Sequence, residues 1–308
     1  MPTRGWQEDQ ARLDLAQLVA EGDRLAFSTD SYVIDPLFFP GGNIGKLAIC
    51  GTANDVAVSG AIPRYLSCGF ILEEGLPMET LKAVVTSMAE TARAAGIAIV
   101  TGDTKVVQRG AVDKLFINTA GMGAIPANIH WGAQTLTAGD VLLVSGTLGD
   151  HGATILNLRE QLGLDGELVS DCAVLTPLIQ TLRDIPGVKA LRDATRGGVN
   201  AVVHEFAAAC GCGIELSEAA LPVKPAVRGV CELLGLDALN FANEGKLVIA
   251  VERNAAEQVL AALHSHPLGK DAALIGEVVE RKGVRLAGLY GVKRTLDLPH
   301  AEPLPRIC

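Results

Sequence analysis

Four aspartates stand at or just after short apolar runs: Asp30 in STDSY, Asp55 in TANDVAVSGA, Asp103 in VTGDTK and Asp193 in LRDATRGGV. Taken singly, each fits a turn or a helix cap. Strand ends that converge on one edge of a sheet would gather all four, and carboxylates gathered in that way repel one another unless hard cations neutralise them. Magnesium carrying the phosphates of ATP fits that need. The charge of the chain points the same way. Lys plus Arg number 26 against 35 Asp plus Glu, a net of -9. An acidic protein that handles a nucleotide needs a cation between its carboxylates and the phosphates. No segment combines basic residues with aromatics, which argues against nucleic acid and anionic membranes as partners.

A Walker phosphate loop is suggested at Gly41-Gly42-Asn43-Ile44-Gly45-Lys46. The glycine spacing is one residue short, and Leu47 stands where Ser or Thr would hold magnesium, so a nucleotide site must be built another way. Gly197 and Gly198 follow Arg196 and open a helical pattern, so their backbone could approach a phosphate at the positive end of that helix; a plain Gly-rich turn is the alternative. The chain ends in Leu304-Pro305-Arg306-Ile307-Cys308. A cysteine on such an end can enter another protein's site, and Arg306 favours its thiolate while the adjacent α-carboxylate opposes it. The other six cysteines lack paired C-x-x-C spacing and read as core or helix-end residues. His151 and His204 read as structural, and His264, His266 and His300 as surface residues.

These residues need a scaffold, and its elements follow from periodicity. A length of 308 residues suggests two domains. Short β-branched runs alternate with amphipathic stretches, the pattern of an α+β or α/β architecture with sheets covered by helices. Met78 to Ala95 reads as a helix stopped by Gly96, followed by strands at Ile97 to Thr101 and Leu115 to Gly121. Gly123 to Gly139 reads as a linker. Helices are expected at Gly152 to Leu162, Gly198 to Cys210 and Ala255 to His264, with strands at Val141 to Ser145, Gly213 to Ser217, Lys246 to Val251 and Leu274 to Val279. The domains divide as 1–124 for nucleotide binding and dimerisation, 125–285 for a second α/β domain, and 286–308 for a flexible tail. After Arg281 the pattern weakens, and Pro299, Pro303 and Pro305 oppose regular structure. Extended, the steps from Gly291 to Cys308 could span on the order of 55 Å. The apolar runs are shorter than the ~20 residues that cross a bilayer, and no signal peptide opens the chain, so a cytoplasmic location is expected.

Together, GKLAICGTANDVAVSGA, VTGDTK, DATRGGVN, ANEGKL and the terminal LPRIC resemble the hydrogenase-maturation carbamoyl dehydratases, the HypE family. That family lies within the PurM-like group of aminoimidazole-ribonucleotide and selenophosphate synthetases. The resemblance covers nearly the whole chain, and the terminal PRIC is specific to HypE within the group. It implies a homodimer of two-domain subunits that hold ATP through Mg2+ at Asp30, Asp55, Asp103 and Asp193. Lys46, Asn54, Arg196, Gly197 and Gly198 are the further nucleotide-binding positions it suggests, with Lys105 and Glu244 near the phosphates and the thiocarboxamide. It also implies that Cys308 receives a carbamoyl group from the HypF carbamoyltransferase, dehydrates it to a thiocyanate, and passes cyanide to iron on a HypC-HypD complex, supplying ligands of [NiFe]-hydrogenase. The family's Gly-rich N-terminal segment is not matched, and Met1 to Gln7 reads as an unrelated leader.

Chemically, a carbamoyl oxygen is a poor leaving group, and phosphorylation lets it depart as phosphate. That step needs the γ-phosphate in line and its charge spread over cations, a role for the aspartate-bound ions and Lys105. Nitrogen protons need a base, with Glu244 the first choice and neutral Lys105 the second. A small-molecule synthetase of the same group, or a carrier that only shuttles a group on Cys308, are the alternatives.

Overall fold

The structure, a computed structural model, describes residues 10–164, 166–299 and 304–308. The expected leader at Met1 to Gln7, and His300 and Pro303, lie outside them. The first half contains α1 (Leu15–Glu21), β1 (Arg24–Tyr32), a short hairpin of β2 (Phe38–Phe39) and β3 (Gly42–Asn43), α2 (Ile44–Ala57), β4 (Ile62–Glu73), α3 (Met78–Ala94), β5 (Ala98–Val107) and β6 (Leu115–Ile125). β1, β4, β5 and β6 form a sheet in the order β1-β6-β4-β5. Alternate side chains decide its two faces. One set, including Tyr32, Leu66, Ile117 and Thr119, is buried, and α2 lies against β1 and β6 with α3 behind it. The opposite face carries Leu25, Phe27, Ile71 and Asn118 in the exposed phase of their strands.

The second half opens with β7 (Val141–Val144), α4 (Asp150–Glu160), α5 (Thr176–Gln180) and β8 (Val188–Asp193). It continues with α6 (Gly198–Cys210), β9 (Gly213–Ser217), α7 (Pro225–Leu234), β10 (Leu247–Val251), α8 (Ala256–His264), β11 (Ala273–Val279), β12 (Gly283–Ala287) and β13 (Lys293–Thr295). Its seven strands run β13-β12-β9-β11-β7-β10-β8. β7 and β10 are buried along their whole length because both faces are covered. Leu142, Val144, Val248 and Ala250 pack with α6, while Leu143, Leu247 and Ile249 pack with α5 and α8.

The expected helix at Gly198 to Cys210 and the strand at Gly213 to Ser217 occur with those bounds. The helix expected at Gly152 to Leu162 instead begins at Asp150 and stops at Glu160, where Gln161 takes a left-handed conformation (φ 52°). The strand expected at Ile97 to Thr101 runs on to Val107, because β4 pairs with it in parallel as far as Val107. Regular structure also continues past Arg281: β12 joins β9 in parallel, and β13 adds an edge strand. The largest correction concerns the tail. Residues 304–308 are docked, not free, with Leu304 and Ile307 buried in the same core as Tyr32, Ile34 and Phe241.

Candidate active site

The candidate site forms where the end of β1, the helix α2 and the ends of β8 and β10 meet. Asp30 and Tyr32 lie in the inward phase of β1, and Asp55 lies near the end of α2, where Ser28 Oγ donates to its Oδ2 at 2.7 Å. Gly51 makes the close packing of α2 possible. A Cβ there would stand 2.4 Å from the Tyr32 hydroxyl, which instead reaches Thr52 Oγ1 at 3.1 Å. Asp193 ends β8 and Glu244 precedes β10, both buried.

These acids feel one another. Burial raises the pKa of Asp30, opposed by the Ser31 amide and the Arg196 charge. Burial also raises Asp55, with Asp30 adding to it. Asp193 is pushed up to about 7 by burial and then by the neighbouring Asp55. Glu244 is raised well above the ordinary carboxylate range, first by burial and then by Cys172, Asp171, Asp193 and Asp30. Among the described residues, Asp193 Oδ2 and Glu244 Oε1 have no hydrogen-bond partner. Orphaned buried carboxyl oxygens in a group of acids fit a hard, oxygen-seeking cation. Among the described residues, no group of three or more acidic, Cys or His side chains is already closed around a metal position.

The sequence reading places Asp103 with the other three aspartates and Lys105 near the phosphates, but within one chain neither joins this group. The register aligns Asp103 with Gly69, Asn118 and Ser31, one residue out of phase with Asp30, so it projects from the opposite, open face. Its strand is also three positions across the sheet from β1, about 14 Å at the usual strand spacing. There Asp103 pairs with Lys105 (Oδ2 to Nζ 2.9 Å) in an exposed ion pair that lowers its pKa.

The remaining expected nucleotide residues divide. Arg196 is exposed and close enough to favour ionised Asp30. Gly197 and Gly198 open α6 in left-handed conformations, φ 79° and 61°, and a Cβ on Gly198 would meet Leu239 O at 2.4 Å and Phe241 O at 2.5 Å. The Gly198 amide donates to Thr195 O at 2.8 Å, so that amide is not free for a phosphate. Asn54 is committed to structure: its side chain donates to Ala173 O and accepts from Leu175 N, clamping that loop to α2. Lys46 is at the other end of α2 from Asp55, about 13 Å along the axis, and donates to Gly41 O at 2.8 Å. The Gly41–Lys46 segment is a hairpin leading into α2, whose first turn is capped by Asn43.

Cys308 arrives beside this group. Val33 N donates to Cys308 O at 2.9 Å, placing the last residue three positions along the strand from Asp30, about 10 Å. Arg159 donates to Pro305 O at 2.7 Å and to Arg306 O. His151 Nε2 lies 2.8 Å from Ile307 O, and Arg306 pairs with Asp113 at 2.8 Å. Sequence reading missed Arg159 and Val33 and gave His151 only a structural role, because each holds a distant main-chain oxygen and nothing local marks that.

Known proteins resemble the chain along nearly its whole length. The chain matches the AIR synthase related protein N-terminal domain over residues 7–125 and the corresponding C-terminal domain over 137–288. It is 50% identical over 304 residues to the carbamoyl dehydratase HypE of Rhodobacter capsulatus, covering 98% of this chain and 89% of that protein. A crystal structure of E. coli HypE, a hydrogenase maturation protein, shares 98% identity, with a TM-score of 0.97 over 98% of this chain and 94% of that one. A HypE crystallised with ATP shares 46% identity (TM-score 0.92, 98% and 90% coverage), and one in a HypE-HypF complex shares 48% (TM-score 0.87, 89% and 90%). The chain belongs to the AIR synthase related family and, within it, to the HypE carbamoyl dehydratases.

Proposed function

We propose that this chain uses ATP to dehydrate a carbamoyl group carried on Cys308 to a thiocyanate, in the maturation of a hydrogenase. The observation that carries this reading is that β1 and the residue that follows it bring both parts to one place: Asp30 faces the buried acids, and Val33 holds the end of the reactive arm. In balance, the thiocarbamate and ATP give a thiocyanate, ADP and phosphate. The carbon–oxygen bond breaks, oxygen leaves on phosphate, and the nitrogen gives up both protons while the C–S bond stays intact. Glu244 serves as the base, and its elevated pKa makes it a strong one once ionised. Magnesium held by Asp30, Asp55 and Asp193 would offset phosphate charge and favour the ionised Glu244.

The open face of the first sheet supports a homodimer. Leu25, Phe27 and Ile71 are large exposed apolar residues on that face, and a second copy of the chain would cover them. The same face carries Asp103 and Lys105, so pairing of two such faces is the way for them to complete the partner's acid group. The source of the carbamoyl group is HypF and the acceptor of cyanide is a HypC-HypD complex, as in the HypE family. The working compartment is the cytoplasm; among the described residues no helix is long and apolar enough to cross a membrane. ATP turnover tests the reading: ADP should form with carbamoylated Cys308 and stay at background with the free thiol or with Cys308→Ala. Equal turnover in all three would overturn it.

A further inference from the structure

His151 is fully buried in the first turn of α4, with the ring of Phe39 edge-on at 5.3 Å. It lies on none of the acids, yet each ring nitrogen has a partner. Nδ1 stands 2.7 Å from Ser170 Oγ, and Nε2 stands 2.8 Å from the carbonyl of Ile307, the residue before Cys308. A carbonyl can only accept, so Nε2 must carry a hydrogen. Burial holds the ring below the ordinary imidazole pKa, so it carries one proton and Nδ1 is bare. Ser170 Oγ therefore donates its hydrogen to Nδ1, while accepting the Cys172 amide at 3.2 Å. Every hydrogen in this relay has one possible place. Ser170 is itself fixed, its amide donating to Pro40 O at 2.9 Å.

The relay takes part in a wider grip. A main-chain oxygen of each of the last four residues receives a donor: Pro305 and Arg306 from Arg159, Ile307 from His151 and Cys308 from Val33 N. All four contacts are to main chain, so the grip does not read what the sulfur carries. His151 is the buried member of the grip and lies next to the reacting residue.

We propose that His151 is the positioning residue for the reaction arm: a neutral imidazole, its hydrogen fixed on Nε2 by Ser170, that seats Cys308 for dehydration through the Ile307 carbonyl. It acts through the arm and touches no reacting atom. The part played in dehydration rests on the function proposed above; the seating of the arm does not.

Three variants test this in the full chain. His151→Leu removes the donor at similar volume, His151→Gln keeps a donor able to reach Ile307 O, and Ser170→Ala frees the ring to take the other tautomer. Alkylation of Cys308 by iodoacetamide, read peptide by peptide by mass spectrometry, reports how long the arm stays seated. His151→Leu and Ser170→Ala should speed it by about three- to tenfold, the range expected for one lost hydrogen bond, and His151→Gln should restore most of the protection. Dehydration of carbamoylated Cys308 should slow by a similar factor while loading of the carbamoyl group, which needs an undocked arm, stays level or rises. Parental alkylation in both His151→Leu and Ser170→Ala would overturn the proposal, as would loading and dehydration falling together, the mark of a merely structural residue. If His151→Leu does not fold, Ser170→Ala alone decides. Changed alkylation in a protein whose parent never dehydrates Cys308 would uphold the seating role and sink the proposed function instead.

Discussion

At the scale of single residues, the buried acids set two expectations. Asp193 has its folded pKa raised to about 7 from the ordinary 3.8, so the folded state holds a proton that the unfolded state has lost between these values. Stability therefore falls as pH rises from about 4 to 7 and levels off above. Asp193→Asn mimics the protonated form. Its advantage in unfolding free energy over the parent, read from denaturant unfolding at each pH without nucleotide, should grow through that window and reach a few kcal/mol on the scale of ~1.4 kcal/mol per pKa unit. An advantage that is constant with pH would contradict the raised pKa. For Glu244→Gln, the expectation is a folded protein that still accepts a carbamoyl group on Cys308 but dehydrates it ~10²–10⁴-fold more slowly, the usual cost of losing a general base. Intact mass followed over time reads this directly. Aspartates after apolar runs pointed to Asp30, Asp55 and Asp193, but Asp55 lies on helix α2, and the faces of Asp30 and Asp103 depend on strand register, which no local pattern reveals. Asp103 is out of phase with Asp30 by one residue and so lies on the other side of the sheet.

At the scale of elements, α6 and α2 determine how closely the site is built. α6 starts on Gly198, whose missing side chain leaves room for the carbonyls of Leu239 and Phe241. Gly198→Ala adds a methyl group against backbone in a left-handed conformation and should cost ~1–3 kcal/mol in denaturant unfolding. A change below ~0.5 kcal/mol would show that this loop yields. The glycines and the helix start were legible at residue resolution, since Gly-Gly before an apolar helical pattern signals a turn. That the Gly198 amide is taken by Thr195 O was not, because it depends on the exact turn. The tail shows the same limit more clearly. Its prolines correctly opposed helix and central strand, yet Leu304 and Ile307 are apolar anchors buried in a core that Ile34, Phe241 and Ala153 share from distant parts of the chain.

At the scale of the whole molecule, two sheets and a returning C-terminus bring one site together, and a second copy would bring the rest. If Asp103 and Lys105 serve the partner's acids, Lys105→Met and Glu244→Gln are each inactive alone, but the mixed proteins form dimers with one site that has both residues intact. Mixing should restore dehydration. No recovery after verified subunit exchange would place both residues in one chain's site or in none. The two-sheet, helix-covered architecture followed from periodicity, and the terminal cysteine with its family resemblance directed attention to the chemistry. The measurement that bears most directly on the function is the intact mass of the chain with Cys308 carbamoylated. On adding magnesium and ATP it should fall by one water as one ADP appears per chain, with the change mapped to Cys308. ADP formation with the carbamoyl mass on Cys308 unchanged would contradict it.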